Sequence, residues 1–131
     1  MSGVQCVLLA DRNHGLTEGL RELLKEVFDA VAMVADEASL FELAAKMRPT
    51  VTVVDLSLVQ GDNLDWLKRL RRDFPDTRIV VVSAYDEPLV RVRIMDMGAD
   101  GFVLRRSLAT DLLPMVEAVL ENAVHQPKET A

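Results

Sequence analysis

Five short runs of mostly β-branched residues alternate with longer stretches whose apolar residues recur at helical spacing, and this rhythm limits the fold more than any other feature of the chain. The short runs are Val4 to Ala10, Ala30 to Ala35, Val51 to Val54, Ile79 to Val82 and Gly101 to Leu104. The third is apolar enough to be buried on both faces. Between them, Leu16, Leu20, Leu23, Leu24 and Val27 mark a first helix with Asn13 as its cap. Ser39 and Glu42 read as a capping box ahead of Leu43, Ala44 and Met47, a helix stopped by Pro49. Polar and turn residues from Ser57 to Asn63 form a loop. Leu64, Leu67 and Leu70 follow as a third helix ending before Pro75. A fourth starts at Pro88, runs to Met97 and stops at Gly98. The last is expected from about Asp111 to Ala123, because Pro114 fits best in a first turn. Strands and helices in strict alternation give a parallel sheet covered by helices on both sides.

A chain of 131 residues is one domain's worth, and half of them are hydrophobic, enough for a core without staples. The domain is placed at 1–124, with 125–131, which contains Pro127, as a flexible tail or the start of a linker. The net charge of −6 argues against this chain alone gripping nucleic acid and against a basic membrane-surface helix. Cys6 has no second cysteine to pair with and reads as a core thiol. No basic leader precedes Val7 to Ala10, a run too short for a signal sequence or a span, so a cytoplasmic location is expected.

Open parallel sheets gather functional groups beyond the carboxyl ends of their strands, at the point where strand order reverses. Here Asp11 follows the first strand, Asp55 the third, Ser83 the fourth and Arg105 the fifth. With a strand order of 2-1-3-4-5, Asp11 and Asp55 face each other across the reversal, with a hydroxyl and a cation beside them. A carboxylate in such a place can be the nucleophile of phosphoryl transfer, with cations neutralising the transferred oxygens. Taken singly, each residue has a plainer explanation: an aspartate after a strand is often a helix cap, and Arg105 beside Arg106 is usually a solvated pair. The constellation is more specific than its members.

The segments VLLADRNHGLTEGLRELL, RPTVTVVDLSLVQGDNL, FPDTRIVVVSAYDEP and MGADGFVLRRS resemble bacterial two-component receiver domains over nearly the whole chain. GLRELL, SAYDEP and GADGFVL are most similar to the LuxR-type transcription regulators, which carry a helix-turn-helix tail. The resemblance implies a flavodoxin-like, three-layer doubly wound sheet and a role in phosphorelay signalling rather than enzymatic turnover. It implies Asp55 as phosphoryl acceptor from a cognate histidine kinase, and Asp11, Asp55 and the backbone carbonyl of Ser57 as Mg²⁺ ligands. It makes Ser83 the hydroxyl that follows the phosphoryl group, Phe102 the aromatic switch, and places Arg105 in the family's lysine position.

The chain departs from the family at several of these positions. Arg12 stands where a second acid binds Mg²⁺; it cannot ligate a cation and is expected to repel the metal and pair with Asp55 or Asp11. Arg105 keeps the lysine's charge but changes its shape, Val59 replaces the usual proline, and Asn63 replaces the usual glycine. Two functions follow: a conditional switch phosphorylated on Asp55, or a phosphorylation-independent interaction module whose metal site Arg12 has disabled. A flavin or nucleotide enzyme on the same sheet is disfavoured, since no glycine-rich phosphate loop follows the first strand. The fourth helix carries Leu89, Val90, Val92, Ile94, Met95 and Met97, more than one stripe needs; most are expected in the core. The remainder would serve a homodimer through the face of the fourth helix, fifth strand and fifth helix.

Overall fold

The computed structural model describes residues 5–12, 14–59 and 63–125. Its elements are β1 (Cys6–Ala10), α1 (His14–Leu24), β2 (Ala30–Val34), α2 (Glu37–Met47), β3 (Val51–Asp55), α3 (Asp65–Asp73), β4 (Arg78–Ser83), α4 (Pro88–Asp96), β5 (Gly101–Leu104) and α5 (Leu108–His125). Single 3-10 turns at Leu56–Leu58 and Arg105–Ser107 follow β3 and β5. All strand pairs are parallel, in the order β2-β1-β3-β4-β5. This is the doubly wound topology, with the reversal between β1 and β3.

The period of two along each strand sorts the core into halves. Val7, Leu9, Val51, Val53, Val80, Val82 and Val103 point to one side, where they meet Leu20 and Leu24 of α1 and Leu112, Val116 and Val119 of α5. Leu8, Ala10, Val54, Ile79, Val81 and Phe102 point to the other, against Leu40 and Ala44 of α2, Trp66, Leu67 and Leu70 of α3 and Ile94 of α4. Thr52 shares this second face; its buried hydroxyl is satisfied by the Thr77 hydroxyl at 3.0 Å.

Several local expectations need correction. The cap of α2 is Asp36, not Ser39: Asp36 is extended and its carboxylate accepts from the Ser39 amide at 2.7 Å. Ser39 is therefore already inside the helix, because nothing in Glu37 or Ala38 resists helical backbone. The Ser39 amide holds the Asp36 carboxyl below its ordinary value. Helix α1 ends at Leu24, three turn residues follow, and Phe28 enters the core where Val27 was expected; Val27 is exposed. Helix α5 starts at Leu108, so Pro114 lies inside it rather than in its first turn. The 3-10 turn at Arg105–Ser107 runs directly into the helix and provides the earlier start. Pro114 then leaves one interior carbonyl without its amide donor. The expected cap Asn13, the strand start at Val4 and the tail after His125 lie outside the described residues.

Arg71 ties α3 to the rest of the second face. Its guanidinium donates to the carbonyls of Gly98 (3.0 Å), Pro75 (3.1 Å) and Thr77 (2.9 Å) and to the Asp100 carboxylate. Asp100 also accepts from the Ile79 amide at 2.8 Å. Gly98, at φ +123°, has no room for a Cβ, which would lie 2.9 Å from the Arg71 side chain. Removing Arg71 strips three carbonyls of their donor and takes the nearer cation from Asp100, which keeps the Ile79 amide and Arg78 at 3.8 Å. Arg71→Ala is expected to cost about 2–3 kcal/mol of stability, read as a lowered urea midpoint at unchanged slope.

Candidate functional site

The pairing registers decide what meets at the top of the sheet. Ala10 is opposite Val54, Asp55 opposite Val82, and Ser83 opposite Leu104. Asp11, one residue beyond β1, therefore lies next to Asp55, the last residue of β3. Both are buried: the side chains are 7% and 3% exposed. The Asp11 amide bonds to the Val34 carbonyl at 3.1 Å, which fixes the chain as it leaves the strand. The Ser57 amide donates to Oδ1 of Asp55 at 2.8 Å, so the 3-10 turn after β3 is capped by the carboxylate it would present.

Arg105 reaches this pair from the tip of β5, over the end of β4. Strands two apart are separated by roughly 10 Å, a span that suits an arginine. One of its terminal nitrogens donates to Oδ2 of Asp55 and to the Ser57 hydroxyl at 3.1 Å, and lies 3.5 Å from Oδ1 of Asp11. One guanidinium thus serves both carboxylates. The hydrogen bond to Asp55 outweighs the cost of burial and, with the nearby Asp11, raises the Arg105 group above its ordinary value. Arg105 is a cation at every working pH.

The sequence places Asp11, Asp55, Ser57, Ser83 and Arg105 around one end of the sheet, and the structure brings Asp11, Asp55, Ser57 and Arg105 into direct contact. Ser83 is buried at the tip of β4 and its hydroxyl is engaged locally: it donates to the Tyr85 carbonyl at 3.1 Å and accepts from the Tyr85 amide at 3.0 Å. Phe102 packs into the second core face, with the Arg91 guanidinium 4.7 Å from its ring centroid.

Arg12 is the clearest correction. It was expected to pair with Asp55 or Asp11; its side chain is exposed and donates instead to the Leu58 carbonyl at 3.1 Å. The carboxylates are already taken by Arg105, whose approach from across the sheet leaves Arg12 the rim. Among the described residues, no group of three or more His, Cys, Asp and Glu side chains could hold a metal ion.

Sequence reasoning missed the space in front of these groups. A cleft of about 850 Å³ opens there, lined by the tips of the strands, by Leu64 and Trp66 at the start of α3, and by Val90 and Arg93 of α4. The only signal for it was the chain's single tryptophan, set just after the loop that follows Asp55. The α4 expectation also changes. The helix stops at Asp96 with Met97 as its cap; of the six apolar side chains expected on it only Ile94 is fully buried, with Val90 and Met97 half-buried, while Leu89, Val92 and Met95 form an exposed row at a spacing of three. A nine-residue helix lying on the sheet can bury one stripe, and the second remains outside.

Known proteins agree with this architecture. The response regulator receiver domain profile matches residues 7–117. A nitrate/nitrite response regulator homolog from Haemophilus influenzae is 29% identical over 120 residues, 90% of this chain and 58% of the relative. The transcriptional regulatory protein RcsB of Escherichia coli is 25% identical over 130 residues, 95% of this chain and 60% of the relative. The chain thus spans a little over half the length of these curated relatives. Among solved structures, a LuxR-family two-component response regulator from Aurantimonas superposes with a TM-score of 0.80 at 22% identity, covering 92% of this chain and 87% of that one. A CheY-like receiver domain from Methanospirillum hungatei gives 0.83 at 16% identity, covering 95% and 99%. The LuxR-type likeness expected from GLRELL, SAYDEP and GADGFVL is consistent with these matches. With a parallel sheet of order 2-1-3-4-5, an aspartate at the tip of its third strand and a family match over most of its length, the chain belongs to the receiver domains of two-component response regulators.

Proposed function

We propose that this receiver works as a phosphorylation-independent interaction module of a transcription regulator, with Arg105 as a resident cation in place of Mg²⁺. The observation that carries this reading is the single guanidinium that serves Asp55, Asp11 and Ser57 together. The donor set does not suit a divalent ion. Two carboxylates already share one positive charge, the third acidic ligand is replaced by Arg12, and a guanidinium on the rim repels an approaching cation. An aspartate hydrogen-bonded to a fixed cation is also a weaker nucleophile. The exposed row Leu89, Val92 and Met95 supports a protein-facing role for α4, including contact with a second copy through the face it forms with β5 and α5. RcsB, a relative, is seen as dimers bound to DNA in its solved structures.

A second reading keeps Asp55 as the acceptor of a phosphoryl group from a histidine kinase, with Ser83 turning from Tyr85 to the phosphoryl oxygens and Phe102 following. The convergence of Asp11, Asp55, Ser83 and Arg105 on one strand edge favours it. Incubation with a small phosphodonor and Mg²⁺, followed by intact mass, separates the two. No adduct is expected. A near-stoichiometric gain of one phosphoryl group on Asp55 would establish the second reading and overturn the first.

A further inference from the structure

The cleft above Asp55 is far larger than an ion or a phosphoryl group requires. Its volume of about 850 Å³ lies within the range of ligand sites, roughly 300–1,000 Å³. Its walls are of two kinds. Leu56, Leu64, Trp66 and Val90 give an apolar floor, with Tyr85, 71% exposed, on the lip. Arg12, Arg93 and Arg105 supply three guanidiniums against two carboxylates, Asp55 and Glu87. Asp55 is already hydrogen-bonded to Arg105, and Arg93 makes no ion pair among the described residues. Arg105 is also shared with Asp11, just outside the lining, so Arg93 and Arg12 are the guanidiniums left to a ligand. Cationic groups above an apolar floor suit a negatively charged ligand with a flat hydrocarbon body.

We propose that the cleft binds a small aromatic anion, its ring against Trp66, Leu64 and Val90 and its carboxylate or sulfonate held by Arg93 and Arg12. The site rests on the cleft and not on the state of Asp55. Such a ligand touches both the Ser83–Tyr85 turn and α4, the helix that carries the exposed apolar row. Occupancy would therefore bear on the same protein-facing surface by a route that needs no phosphoryl group.

Trp66 is the chain's single tryptophan and lines the cleft, so energy transfer from it reports a probe bound there. The full chain titrated with anilinonaphthalene sulfonate is expected to show saturable, one-to-one transfer. Phenylnaphthylamine, which lacks the charge, is expected to bind about tenfold more weakly, and Arg93→Ala to weaken the sulfonate by a similar factor. Arg93 is exposed and makes no ion pair among the described residues, so the variant should keep its far-ultraviolet circular dichroism. Val90→Phe, which fills the floor without adding a second tryptophan, is expected to abolish transfer. Absent saturation, equal affinity for the uncharged probe, or transfer indifferent to both substitutions would overturn the site. A phosphoryl adduct on Asp55 would defeat the proposed function and leave this site standing. Failure of the probe would do the reverse.

Discussion

Arg105→Met is expected to lower the unfolding free energy by about 2–4 kcal/mol at neutral pH, because it leaves two buried carboxylates side by side with their shared cation gone. The loss should depend on pH with a definite sign. In the wild type Arg105 stays protonated and both acids are paired, so this cluster adds no penalty near neutrality. In the variant, burial and mutual repulsion raise at least one aspartate above its unfolded value of about 3.9. A group raised in the folded state favours folding below its unfolded value and loses that contribution as pH climbs through its folded value. The deficit should therefore be small near pH 4 and grow toward neutrality. Urea denaturation across this range tests it; a deficit that is absent at pH 7, or that grows on acidification, would show that Arg105 does not hold the pair. Adding Asp55→Asn should restore part of the loss, since one of the two uncompensated charges is removed.

The double substitution Arg12→Asp with Arg105→Lys should convert a chain without a phosphoryl adduct into one that forms it in the presence of Mg²⁺. The first change turns a rim cation into a third carboxylate near Asp11 and Asp55. The second replaces a fork that occupies both acids with a compact, mobile charge. Together they shift the local balance that excludes a divalent ion, and a gain in Mg²⁺ affinity of well over tenfold is expected from the one charge reversal, at position 12, close to both carboxylates. Mg²⁺ titrated against Trp66 fluorescence and the intact-mass measurement read the two steps separately. If the double variant still ignores Mg²⁺, the obstacle lies elsewhere than in these two guanidiniums. Arg12→Asp alone should fall between, because Arg105 would still sit on Asp55.

These expectations rest on contacts of very different range. The parallel sheet, its two helical layers and the strand tips on which Asp11, Asp55, Ser83 and Arg105 sit are legible in the chain, because the period of two and the helical period are local and appear wherever an element buries one side. Helix boundaries were less legible: the cap at Asp36 and the start at Leu108 depend on how a few adjacent residues share hydrogen bonds, where several neighbours are nearly equal candidates. The sequence put Arg105 beside the carboxylates, but it could not say whether Arg105 or Arg12 would pair with them. Arg12 and Arg105 both belonged in principle near Asp55, one beside Asp11 in sequence and the other fifty residues beyond Asp55. The choice fell to Arg105 because its side chain crosses the top of the sheet to the buried pair, while Arg12 leaves the end of β1 toward the Leu58 carbonyl. The cleft beside them, and the second apolar row on α4, likewise exist only once α3 and α4 have packed on the sheet. Sequence determined which residues stand at the strand ends; the tertiary structure decided which of them touch, because partner choice is set by distance and burial across the fold and not by neighbourhood along the chain.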